Sequence, residues 1–149
     1  MRTGKIIGMK RRAILLLPFL AKPALAHSYK VGDIRIGHAW ALPAQQAVDG
    51  QAFMPLLNIG KKPESLIAAR SSIAGLIELR PYNRYDELPS MEFYLEPGKP
   101  LAMRPTAYHL RLIGMREALV VGHKFSLVLD FLEAGEIEIS VDVETKPGT

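Results

Sequence analysis

Between Lys124 and Val143 apolar and polar residues alternate with a period of two, and no other stretch limits so strongly what this chain can fold into. Every second side chain of an extended strand points to the same face, so Phe125, Leu127, Leu129 and Phe131 share one face, and Ile137, Ile139, Val141 and Val143 share a face of the next run. Glu133-Ala134-Gly135 supplies the turn between them, and the two runs read as an antiparallel hairpin. Shorter runs of the same kind occur at 33–37, 51–59, 65–69, 76–79, 91–95, 100–104 and 108–113, broken by Gly, Pro, Asn and Asp, with turns at 60–63 and 96–99. No long amphipathic helical pattern interrupts them. The expected fold is all-β, a Greek-key sandwich or small barrel of about eight to nine strands that bury their apolar faces on one another.

Charge is distributed very unevenly. Residues 1–26 carry six cations (Arg2, Lys5, Lys10, Arg11, Arg12, Lys22) and no acid, around a nine-residue apolar run at 13–21. Ala24-Leu25-Ala26 then places small residues at the two positions that a signal peptidase reads. This predicts a cleaved export signal and a periplasmic protein. Nine apolar residues are too few to cross the roughly 30 Å hydrocarbon layer as a helix, so no permanent membrane anchor is expected. Taking these 26 residues and six cations from the totals of 149 and 19 leaves 123 residues with 13 cations against 15 acids, a net charge of −2. No basic block remains to follow a phosphate backbone, which argues against a nucleic-acid partner. The expected domain is 27–144, with 145–149 as a frayed tail.

The chain has no cysteine, which excludes disulfides, thiolate metal sites and thiol catalysis within it. Its soft donors are His27, His38, His109 and His123, and, outside the leader, Met54, Met91, Met103 and Met115. Imidazole together with thioether suits copper, Cu(I) above all. Met54 and Met103 lie in apolar strand contexts and read as core, and Met115 and His123 read as turn residues. An enzyme is not expected: Ser71-Ser72 lacks the glycine-flanked elbow of a hydrolase, and no His–carboxylate pair stands close in sequence.

Five segments carry a resemblance: Ile36-Gly37-His38-Ala39-Trp40-Ala41, Ala52 to Gly60, Ser71 to Leu79, Tyr108 to Met115 and Phe125 to Leu129. Together, and in this order, they resemble the periplasmic copper chaperone family PCu(A)C along nearly all of the mature chain. The resemblance implies a cupredoxin-like β-barrel that carries Cu(I) on two His and two Met and passes it to the copper centre of cytochrome oxidase or to another copper chaperone. It implies a His at the end of a Glu-Leu-His strand, a Met eleven positions later and a downstream His-x-Met. This chain has Arg80 in the first position, Met91 eleven residues on, and His109-Leu110-Arg111 at the third. Met91 and His109 therefore survive as expected ligands, while two guanidinium groups, which stay cationic, replace the other two.

A second expected site begins at the predicted cleavage point. A free His27 would offer its α-amine and its ring together to Cu(II), with His38 or His109 as the second imidazole. Two functions follow from these residues. One is an exported copper carrier centred on Met91 and His109, aided by His27 and His38. The other is a member of the same fold that binds no metal and contacts a partner through Arg80 and Arg111.

Overall fold

A computed structural model describes residues 28–146. The predicted signal at 1–26, His27 and the last three residues of the predicted tail lie outside them. The described chain is all-β and contains no helix. Its strands are β1 (Tyr29–Val31), β2 (Ile34–Ile36), β3 (Trp40–Ala41), β4 (Gly50–Phe53), β5 (Leu56–Asn58), β6 (Glu64–Arg70), β7 (Ala74–Arg80), β8 (Phe93–Leu95), β9 (Pro100–Leu101), β10 (His109–Met115), β11 (Lys124–Phe131) and β12 (Gly135–Val143). Twelve strands replace the eight to nine expected. Three reasons account for the excess. β1 and β3 are too short to show a period, and the run at 51–59 breaks at Pro55, whose missing N–H cannot join a ladder. That break sends β4 into one sheet and β5 into the other.

The smaller sheet runs β9-β5-β2-β1 and the larger runs β7-β10-β4-β3-β12-β11-β6-β8. All neighbours are antiparallel except β3 and β12, which run parallel with Trp40 opposite Asp142 and Ala41 opposite Val143. β6 and β7 are joined by only three residues yet lie near opposite edges of the larger sheet. Such a sheet must curl, and the result is a nearly closed barrel of the cupredoxin-like kind.

The predicted hairpin forms as expected, with β11 and β12 in register from Lys124 opposite Asp142 to Phe131 opposite Gly135. Gly135 takes φ +87°, a conformation other residues rarely adopt, and so closes the turn. Leu127, Leu129, Ile139 and Val141 are at most 1% exposed. Burying a side chain of that size contributes about 1.5–3 kcal/mol. Trp40 packs against Phe53 with ring centroids 4.5 Å apart and planes inclined by 36°, which ties β3 to the core beside the parallel ladder.

One buried carboxylate holds the hairpin tip. Glu64, at the start of β6, is 7% exposed and accepts from the backbone N–H of Ser65 (2.8 Å), Glu133 (3.0 Å) and Ala134 (2.8 Å). Removing the acceptor orphans donors that water reaches poorly. Glu64→Ala is therefore expected to lower unfolding free energy by about 2–3 kcal/mol, with a smaller loss for Glu64→Gln. Urea unfolding measures both, and an Ala variant within about 0.5 kcal/mol of the parent contradicts this role.

Candidate metal centre

His109 and His38 fall at two separate places. His109 opens β10, opposite Arg80 of β7, and Arg111 two residues on is opposite Glu78. The i, i+2 spacing puts His109 and Arg111 on one face. His109 has no exposed surface. Its Nδ1 is 2.8 Å from the Ala107 carbonyl, an acceptor only, so Nδ1 carries the proton. Nε2 then accepts from the Tyr85 hydroxyl at 2.7 Å, and that hydroxyl accepts from Gln51 Nε2 at 2.9 Å.

Both arginines belong to the same network. Arg80, 3% exposed, donates from Nε and Nη2 to Glu78 Oε1 (3.0 and 2.7 Å) and from Nη1 to the Glu87 carbonyl (2.6 Å). Arg111 donates from Nε to Asp49 Oδ2 at 2.9 Å, pairs with the same oxygen through Nη2, and reaches Glu78 Oε1 through Nη1 at 3.4 Å. The guanidinium carbons of Arg111 and Arg80 lie 4.0 and 5.2 Å from the centre of the Tyr85 ring. Tyr85 thus plugs the space between two cations while its hydroxyl satisfies the imidazole.

Met91 follows Ser90, whose N–H donates to the carbonyl of Leu79 on β7 (2.9 Å). It lies in the connection between β7 and β8 and is 90% exposed. Its thioether is open to solvent while the His109 imidazole has no accessible surface, so the two would have to rearrange to close on one ion. Both His109 nitrogens already have partners, so a metal ion there must displace the Tyr85 hydroxyl. Arg80 is 3% exposed and donates to Glu78 and the Glu87 carbonyl inside the fold. Burial, reinforced by the charges of Arg80 and Arg111, lowers the His109 pKa below its ordinary 6.5, against the pull of the Ala107 hydrogen bond.

His38 is placed differently. It precedes β3, whose parallel pairing sets it at the C-terminal end of β12; the Asp142 N–H donates to the Ala39 carbonyl (3.1 Å) and the Glu144 N–H to the Ala41 carbonyl (2.9 Å). Asp142 and Glu144, two residues apart, turn to the face opposite the buried Val141 and Val143. His38 Nε2 is 3.0 and 3.2 Å from the two carboxylate oxygens of Glu144, and Nδ1 is 4.0 Å from Asp142 Oδ2. One ligand atom from each of the three lies within 4.8 Å of the others, the only such grouping of His, Asp and Glu among the described residues. All three side chains are partly sheltered, at 18%, 27% and 10% exposure for His38, Asp142 and Glu144.

Of the four predicted ligands, then, His109 is internal, Met91 is at the surface, His38 joins two carboxylates, and His27 precedes the described residues. Sequence analysis missed Asp142 and Glu144. They look like ordinary solvent-face acids of a strand, and their one local mark is the i, i+2 spacing at its end. Their partner is more than a hundred residues away.

The lowered pKa of His109 has a definite sign. The unfolded chain binds a proton at that ring more readily than the folded one, so its contribution to stability is present above pH 6.5 and is lost as pH falls through the lower folded value. The His109 ring resonances are expected to titrate below pH 6.5, and unfolding midpoints to fall between pH 7 and pH 5 less steeply in His109→Gln than in the parent. Titration at or above 6.5 contradicts this account.

Comparison with known proteins agrees with the barrel. The copper-bound PCuAC domain from PmoF2 is 27% identical, with TM-score 0.72 over 80% of this chain and 99% of that one. The apo PCuAC domain from PmoF1 is 21% identical, with TM-score 0.73 over 80% and 100%. The Cu(I) form of DR1885 from Deinococcus radiodurans is 20% identical, with TM-score 0.57 over 82% and 83%; these last two show the fold alone. No curated protein matches the chain. The family model for LpqE-like lipoproteins matches residues 34–143, and the chain belongs to that LpqE-like family.

Proposed function

We propose that this protein is an exported copper carrier whose centre is built on His38, Glu144 and Asp142, with His27 as a further donor once the leader is removed after Ala26. The observation that carries the reading is the convergence of one imidazole and two carboxylates at the end of β12. The copper-bound domain at 27% identity supports copper as the cargo. Nitrogen and oxygen donors suit Cu(II) better than Cu(I), which prefers thioether and thiolate. A chain beginning at His27 would add two nitrogen donors of the same kind, the α-amine and the ring.

The alternative centre at Met91 and His109 is less favourable, because its imidazole has both nitrogens hydrogen-bonded and two cations beside it. Carriage requires no bond chemistry, and the site offers no nucleophile. The family resemblance suggests the copper centre of cytochrome oxidase, or another copper chaperone, as recipient, and an extracytoplasmic location fits the predicted signal. Although the family description names lipoproteins, no cysteine occurs in these 149 residues to bear a thioether-linked lipid.

Trp40, the only tryptophan, lies two residues beyond His38 and reports on the site. One equivalent of Cu(II) is expected to quench its emission. His38→Ala and Glu144→Gln are each expected to weaken binding by roughly 10–100-fold, and Met91→Ala to leave it unchanged. A chain beginning at His27 should bind more tightly than one carrying an extra residue before it. Unaltered affinity in His38→Ala overturns the assignment.

A further inference from the structure

Lys124, the first residue of β11, lies directly across from Asp142 on β12. Directly opposed residues of an antiparallel pair point to the same face, so the ammonium shares the surface that carries Asp142 and Glu144. Its Nζ is 3.4 Å from Asp142 Oδ1, whereas the other oxygen, Oδ2, is the one turned towards His38. One carboxylate thus serves a tethered cation through one oxygen and the proposed metal centre through the other.

From this shared carboxylate we infer that Lys124 sets how tightly the centre holds a dication and how readily it lets go, a role that presupposes His38, Asp142 and Glu144 as the metal site. Any dication bound between them gains less from Asp142, because the ammonium already draws on the same charge and stands a few ångströms away with the same sign as the metal. The Lys124 side chain is 58% exposed and borders a groove of about 240 Å³ with Gly122, His123 and Glu144, so the ammonium has room to withdraw into water when metal binds and to return when it leaves. A fixed cation at that place would forbid binding, and a neutral side chain would leave Asp142 wholly to the metal. A mobile one moderates affinity, which suits a carrier that must release its cargo.

The test is a Cu(II) titration of the full chain by Trp40 fluorescence with glycine as competing ligand, together with the rate of transfer to EDTA. Lys124→Gln is expected to tighten Cu(II) by about three- to tenfold and to slow transfer by a similar factor, the size that a water-exposed charge at this range gives. Lys124→Arg should behave as the parent, Lys124→Glu should exceed Gln, and 0.5 M salt should narrow the differences. Unchanged or weaker binding in Lys124→Gln, in a protein whose His38→Ala variant has lost its copper, overturns the role of Lys124 and leaves the centre standing. Full binding in His38→Ala overturns the centre and this inference with it.

Discussion

The parallel ladder between β3 and β12 joins the early part of the chain to its last strand, and the proposed centre exists because of it. Trp40 opposite Asp142 and Ala41 opposite Val143 place His38 beside two carboxylates more than a hundred residues further on. The ladder is only two pairs long and gains support from both sides. Ala41 and Val143 are buried, and Trp40 packs against Phe53 of β4. The metal-facing surface therefore rests on a packed layer, with Asp142 inside β12 and His38 and Glu144 just beyond the ends of β3 and β12.

Around His109, ion pairing and packing fill the space beside the ring. Glu78 is shared by Arg80 and Arg111, Asp49 takes the rest of Arg111, and Tyr85 fills the space between the guanidinium groups while its hydroxyl meets His109. Cations buried this deeply survive only where carboxylates and carbonyls satisfy their donors, and here each has such partners. A network of that kind is self-consistent without metal. Admitting Cu(I) would displace the Tyr85 hydroxyl from His109 and set a further cation beside Arg80 and Arg111, which is the physical reason for the weight given to the N/O centre.

The two places also differ in what they ask of a metal. The His38 centre has carboxylate charge to offer a dication, a partly sheltered imidazole, and the Lys124 ammonium at its margin. The His109 region has neutral imidazole flanked by positive charge, and its thioether candidate stands in solvent. Electrostatics favours the first for Cu(II), and ligand softness alone would have favoured the second for Cu(I).

Much of the fold was legible along the chain, because a period of two forces an extended strand with one buried face. The hairpin of β11 and β12, its turn at 132–135 and its inward residues are local consequences of that alternation, and the absence of cysteine settled which metal chemistry was open. Strands of two or three residues, such as β3, carry no period and were invisible. The family resemblance put Met91 and His109 first, and His38 entered only as a second imidazole for His27. Only tertiary structure separated them, since burial, ring partners and the company of distant carboxylates depend on which strands pair. Local pattern decides which face of a strand is apolar, but the neighbours that a polar side chain meets across a barrel are decided by topology.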